Sequence, residues 1–182
     1  MQADGSNESW DKFVYRYEHV ILEYAVSAGI RRDLAEDLRQ TVFTELVGLM
    51  PTLIIDPARG SFRSLLRSIV RHRATDLIRN HYRDIDAKAK LESIHTVSED
   101  HRWDLAWETG LMKQALCEVA ARVDPATYQA FELTTISEVP AKEVAKLLGM
   151  SVDSVYQSKK RVKEAADTQF KRLVEEAEGD LG

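Results

Sequence analysis

The stretch that most constrains this chain is residues 59–83, RGSFRSLLRSIVRHRATDLIRNHYR, which asks one helix to meet two demands at once. At about 100° per residue, Phe62, Leu65, Leu66, Ile69, Val70 and Leu77 fall within an arc of roughly 140°. Arg63, Arg67 and Arg71 step down beside that arc one turn apart, as a row. The stretch holds seven of the fifteen arginines and a single acid, Asp76, so it carries +6 while the remainder carries −11, for a net −5. A solvated face usually mixes signs, and this one does not, so the row points to a polyanion partner met at one place. The plain alternative, a solvent-facing charged face, stays open. Two details depart from the pattern. Arg73 falls inside the apolar arc, and Asp76 three residues later suggests a local ion pair that lets the guanidinium lie against a core. Ile78 and Tyr82 fall on the arginine side.

Period-2 alternation is almost absent, and only four prolines and eight glycines occur in 182 residues, so the expected fold class is all-α. The lone cysteine, Cys117, excludes a disulfide framework and a cysteine zinc site, and its helical context makes it a small core residue. No apolar run reaches the length of a membrane span, and the N-terminus is neither basic nor apolar. These features predict a cytosolic protein with no membrane insertion. No serine–histidine–acid set, phosphate-cradling glycine loop or metal cluster is visible. The chain therefore reads as a non-enzyme with no cofactor and no small-molecule substrate.

In chain order, Ser9 caps a first amphipathic helix on which Trp10, Phe13, Val14, Tyr17, Val20, Ile21, Tyr24, Ala25 and Ala28 recur at helical steps, ending at Gly29. Its aromatics read as core rather than as a binding platform. Asp33 with Glu36 forms a capping pair for a second helix, whose outer face carries Glu36, Asp37, Gln40 and Thr41. Asp56-Pro57 and Arg59-Gly60 are turn signals, and Ser61 caps the arginine helix. Residues 9–84 thus form a first helical domain. Residues 85–102 lack a sustained period and read as a polar linker. His95 and His101 have no ligand-spaced companions. A second helical domain spans 103–177, beginning with Trp103, Ala106, Trp107 and Leu111, and residues 178–182 are an acidic tail.

The most specific signal lies in PAKEVAKLLGMSVDSVYQSKKRVKEAA, which begins at Pro140. Ala145 allows two helices to approach closely, Gly149 supplies the tight turn, and Val155 fills the angle between them. This is the pattern of a helix-turn-helix, although helical hairpins also carry it. Ser151 caps the second helix. Ser151, Val152, Asp153, Ser154, Tyr156, Gln157 and Lys160 lie toward the end that would enter a major groove, and Lys159, Lys160, Arg161 and Lys163 can reach phosphates. Two cationic helical elements across a linker suggest a protein that touches DNA at two places. Tyr82, His72 and His81 near the arginines suit unstacked bases.

Asp33-Leu34-Ala35-Glu36-Asp37-Leu38-Arg39-Gln40-Thr41-Val42-Phe43 resembles a segment of region two of bacterial sigma factors. Phe62 to Leu66, followed by Ile69 to Arg79, resembles that region's promoter-melting helix, and the helix-turn-helix resembles region four. Over residues 9–175 the chain resembles the two-domain, extracytoplasmic-function class of sigma factors. The resemblance implies that Glu36, Asp37, Gln40, Thr41 and Phe43 grip core RNA polymerase. It also implies that Arg63, Arg67, Arg71, His72, Arg79, Tyr82 and Arg83 hold the minus-ten element of promoter DNA as it opens. The helix from Ser151 would read the minus-thirty-five element, and an anti-sigma factor is an implied partner. Thr41, Leu65 and His72 depart from the commoner glutamate, tryptophan and asparagine, and Pro140-Ala141 from the commoner start of the first reading helix. The rival readings are a dimeric helix-turn-helix regulator that works without polymerase and a helical adaptor that meets an acidic protein.

Overall fold

The computed structural model describes residues 4–49, 61–82, 84–94 and 98–179. The protein is all-α, and among these residues no strand occurs. The helices are α1 (Asp4–Ser27), α2 (Arg32–Leu49), α3 (Phe62–His81), α4 (Asp84–Ile94), α5 (Ser98–Ala120), α6 (Pro125–Phe131), α7 (Ala141–Leu148) and α8 (Val152–Gly179). A π-helical turn, Glu132–Ile136, follows α6. Contacts divide the chain into two compact units, cut between Leu111 and Met112 and again between Glu175 and Glu176.

The first unit holds α1 to α4, α5 as far as Leu111, and the end of α8 from Glu176. Its core is aromatic along α1. Phe13 and Tyr17 meet Phe62 of α3 at ring-centroid distances of 5.3 and 5.0 Å. Tyr17 meets Trp107 at 5.7 Å, and Tyr24 meets Trp103 at 5.8 Å. Each such pair contributes about 0.5–1.5 kcal/mol beyond the area it buries. Leu66, Ile69 and Val70 of the expected apolar arc are buried with Phe62, while Leu65 and Leu77 are half-buried. Ser61 caps α3, its hydroxyl accepting from the Ser64 N–H at 3.3 Å. Arg73 does pair with Asp76, at 3.7 Å, but its closer partner is Glu45 of α2 at 2.6 Å.

Several expectations differ from the structure. The stretch expected as a linker, 85–102, carries α4 and the start of α5. Helix α4 lacks an apolar period, and a lysine helps to anchor it: Lys90 lies over the Tyr82 ring, 4.9 Å from its centroid, and donates to the Gly29 carbonyl at 2.6 Å. Trp103 and Trp107, expected in the second domain, are buried in the first unit beside Tyr24 and Tyr17. Ile78, on the arginine side, is fully buried, on a helix that packs against both α2 and α4. Ser9 lies inside α1 rather than at its cap. Asp33 lies in the first turn of α2, where the Arg31 guanidinium takes its carboxylate at 2.7 Å and holds the carboxyl below its ordinary value. Glu36 pairs with Arg39 instead of closing a capping box. The expected tail begins inside α8. Asp56-Pro57, Arg59-Gly60, Arg83 and His95 lie outside the described residues.

The second unit, Met112–Glu175, builds two small clusters. One joins Val119, Phe131, Val162 and Ala166. The other joins Ala130, Val144, Ala145 and Val155, with Leu148 and Val152 packed against it. A network the sequence does not announce surrounds Glu118: its carboxylate accepts from Arg122 at 3.3 Å, Arg172 at 3.1 Å and the buried Gln114 at 3.1 Å, and from the buried Gln169. Cys117, expected in a core, is exposed.

Two glycines should respond to alanine for different reasons. A Cβ at Gly110 would sit 2.6 Å from the Val20 backbone, so α1 and α5 would have to separate. We expect Gly110→Ala to cost about 3 kcal/mol by urea unfolding. Gly149 has a left-handed backbone (φ +65°) with open space around it, so Gly149→Ala should cost only about 1–2 kcal/mol. Equal losses at the two sites would contradict the close packing of α1 and α5.

Candidate nucleic-acid interface

The arginine row is real, and it is already occupied. Arg63, Arg67 and Arg71 project from α3 toward the acidic first turns of α5, which runs antiparallel to them. Arg63 donates to Asp104 at 2.6 Å and lies over Trp107, 5.0 Å from the ring centroid. Arg67 pairs with Asp100 and sits 3.7 Å from Glu99, whose other oxygen is 3.2 Å from Arg71. The three arginine side chains remain 38, 30 and 41 % exposed, as do Asp100 and Asp104 at 72 and 58 %. Surface pairs of that kind contribute about 0–1 kcal/mol each. Glu99 differs. Its side chain is 5 % exposed, and one carboxylate oxygen has no hydrogen-bond partner within the protein. A buried carboxylate costs several kcal/mol in desolvation, which two guanidiniums offset here.

That charge acts on its neighbours. Burial first, and the Glu99 carboxylate second, push the Tyr24 hydroxyl up to about 12. The hydroxyl has no hydrogen-bond partner within the protein either. The sequence missed Glu99, Asp100 and Asp104. Their signal was the four-residue step from Asp100 to Asp104, which matches the step between the arginines and coincides with Trp103 and Trp107 at the same interval.

The other candidates of α3 divide. His72 is exposed and 3.5 Å from Asp76. Arg79 and His81 are exposed at the helix end. Tyr82 is not a free stacking platform: its ring lies under Lys90 and its hydroxyl accepts from the Arg31 N–H at 2.9 Å. On α2, Glu36, Asp37, Gln40 and Thr41 share an exposed face. Asp37 and Thr41, with Arg73, line two adjoining open clefts, one of about 370 Å³ that runs on to Arg79 and His81. Phe43 is not part of that face. It is buried against Trp10 and Phe13, at 6.0 and 6.5 Å.

In the second unit the helix-turn-helix has the geometry its residues require. Pro140 precedes α7, Gly149 turns the chain in the left-handed region, and the Met150 N–H donates to the Ala145 carbonyl at 3.0 Å. Ser151 caps α8, accepting from the Ser154 N–H at 3.0 Å. The Ser151 and Ser154 hydroxyls are 2.8 Å apart, which engages both locally. Val152 is half-buried and Val155 fully buried. Asp153, Tyr156, Gln157, Lys160, Arg161 and Lys163 are exposed, Lys159 is half-buried, and Lys160 pairs with Glu164 at 3.8 Å.

Among the described residues no three His, Cys, Asp or Glu side chains converge on a possible metal position, and no helix is long and apolar enough to cross a membrane. No protein-family model, curated protein or solved structure matches this chain.

The raised Tyr24 makes a pH prediction. The folded state favours the neutral phenol, so its contribution is complete below about pH 10 and lost as the pH rises toward 12. We expect Tyr24→Phe to leave stability at pH 7 unchanged or slightly higher, since it removes an unpaired buried hydroxyl. It should also retain on the order of 2 kcal/mol more than the parent at pH 12 by urea unfolding. Parallel alkaline losses in the two proteins would contradict burial of that hydroxyl.

Proposed function

We propose that the protein is a sigma-type initiation subunit: a non-catalytic, cytosolic protein that binds core RNA polymerase and directs it to promoter DNA. The observation that carries this reading is the capped, glycine-turned helix-turn-helix of α7 and α8, which leaves Asp153, Tyr156, Gln157 and Lys160 exposed. The order of the segments that resemble region two and region four supports it. So does the exposed acidic and polar face of α2, which suits a basic surface on a large partner. Here α8 would read the upstream element as duplex through base edges near its start, with Lys160, Arg161 and Lys163 on phosphates. The arginines of α3, with His72 and Arg79, would hold the downstream element as it opens. An acidic protein binds DNA weakly alone, and polymerase would join two modest contacts through effective concentration.

The second reading, a helix-turn-helix regulator that touches DNA only through α8, is favoured by one observation. The arginine row already has acidic partners within the chain. Two measurements separate the readings. Under the first, the purified protein co-elutes with core polymerase, Asp37→Lys/Gln40→Ala abolishes co-elution, and the free protein gives no stable gel-shift. Under the second, it shifts a palindromic duplex unaided and ignores polymerase.

Within the first reading, Gln157→Ala should weaken specific promoter binding by about 1–3 kcal/mol and relax sequence preference at one position. Lys160→Ala should weaken all duplexes alike and lower the salt slope by about 0.9. Quantitative footprinting of polymerase complexes across salt concentrations checks both. Indifference to both substitutions would count against α8 as the reading helix.

A further inference from the structure

We propose that the first turns of α5 form a counter-charge strap that holds the arginine row of α3 closed to nucleic acid in the free protein. The inference rests on the row being a nucleic-acid surface, as in the reading above, and adds how access to it is controlled. Three observations carry it. Two acids match the arginines one turn apart, Asp104 on Arg63 and Asp100 on Arg67, and Glu99, next to Asp100, bridges Arg67 and Arg71. Acids suit the start of any helix, which accounts for Glu99 and Asp100 locally. That local preference does not account for Asp104, one turn further on, nor for a buried Glu99 with one oxygen that has no hydrogen-bond partner within the protein. A helix that merely packed here would use an apolar residue at that place, as its own Trp103 and Trp107 do. The third observation is a division of labour along the strap. The tryptophans fix the helix, whereas Asp100 and Asp104 stay largely in solvent, where added salt or a denser array of negative charge displaces them.

The test uses the full chain, a labelled single-stranded oligonucleotide of random sequence, and fluorescence anisotropy over a range of salt. Asp100→Asn/Asp104→Asn removes two exposed charges without changing size, so far-UV circular dichroism and the melting temperature should stay close to the parent's. We expect this variant to bind about three- to tenfold tighter at low salt. The slope of log affinity against log salt should steepen by about 1.4, or 0.7 for each of two newly reachable phosphates. Adding Arg63→Gln/Arg67→Gln should cancel the gain. The control Asp11→Asn/Glu92→Gln, with the same change in net charge elsewhere on the first unit, should gain little. A folded variant with no gain overturns the strap, as does a gain that survives loss of the arginines or appears equally in the control. Polymerase co-elution is scored on the same samples. Its failure together with a cancelled gain would sink the initiation-subunit reading and leave the strap standing.

Discussion

The first unit depends on a carboxylate held out of water. Glu99 sits between Arg67 and Arg71 and is tolerable there only because α3 presents arginines at one-turn intervals. That pairing fixes the register of α5 on α3. Trp103 and Trp107 then fall against Tyr24 and Tyr17, and Gly110 falls where α1 approaches too closely for a side chain. Glu99, Trp103 and Trp107 lie four residues apart on one stripe of α5, so a one-residue slip would rotate all three away from their partners together. Charge pairing and aromatic contact thus act on the same stripe of α5.

The same pairing changes what the cationic helix can do. A row of three arginines on an acidic protein is an anion site by composition, yet each guanidinium faces an acid of its own chain. The pairs are solvent-facing at Asp100 and Asp104 and buried only at Glu99. The row is therefore neutralised rather than entombed, and its arginines keep enough exposure to meet another partner. In the second unit the start of α8 is more open: Lys160 pairs within its own helix, and Tyr156 and Gln157 are exposed, whereas Arg172, further along, pairs with Glu118.

How much of this was legible in the sequence depended on the kind of interaction. Local signals could be read directly: the Ser61 and Ser151 caps, the Gly149 turn, and the apolar arc of α3 all follow from spacings within one short stretch of chain. The aromatic face of α1 was legible as core, but its partners were not, because Trp103 and Trp107 lie far along the chain from the Tyr24 and Tyr17 they meet. Helix α4 hid itself. It is held by Lys90 on Tyr82 and on the Gly29 carbonyl, contacts that leave no periodic trace. Two sites read as functional changed meaning for one reason. Phe43 belongs to the apolar side of its helix and was assigned a partner only by resemblance, and Tyr82 was read from its place beside the arginines, yet a neighbouring element claims each of them, through rings from α1 and through Lys90 with the Arg31 N–H. Periodicity says which side of a helix is apolar, but not how many neighbours that helix has.

The proposal is that this protein, with core polymerase, grips a promoter at two places and opens it at the downstream one. Permanganate footprinting of unpaired thymines tests it most directly, on a promoter selected from a random library. The account predicts reactive thymines about one duplex turn or more downstream of the protected upstream element, and only when both core polymerase and this protein are present. Thymines that stay unreactive in that mixture, or react equally without the protein, would contradict it.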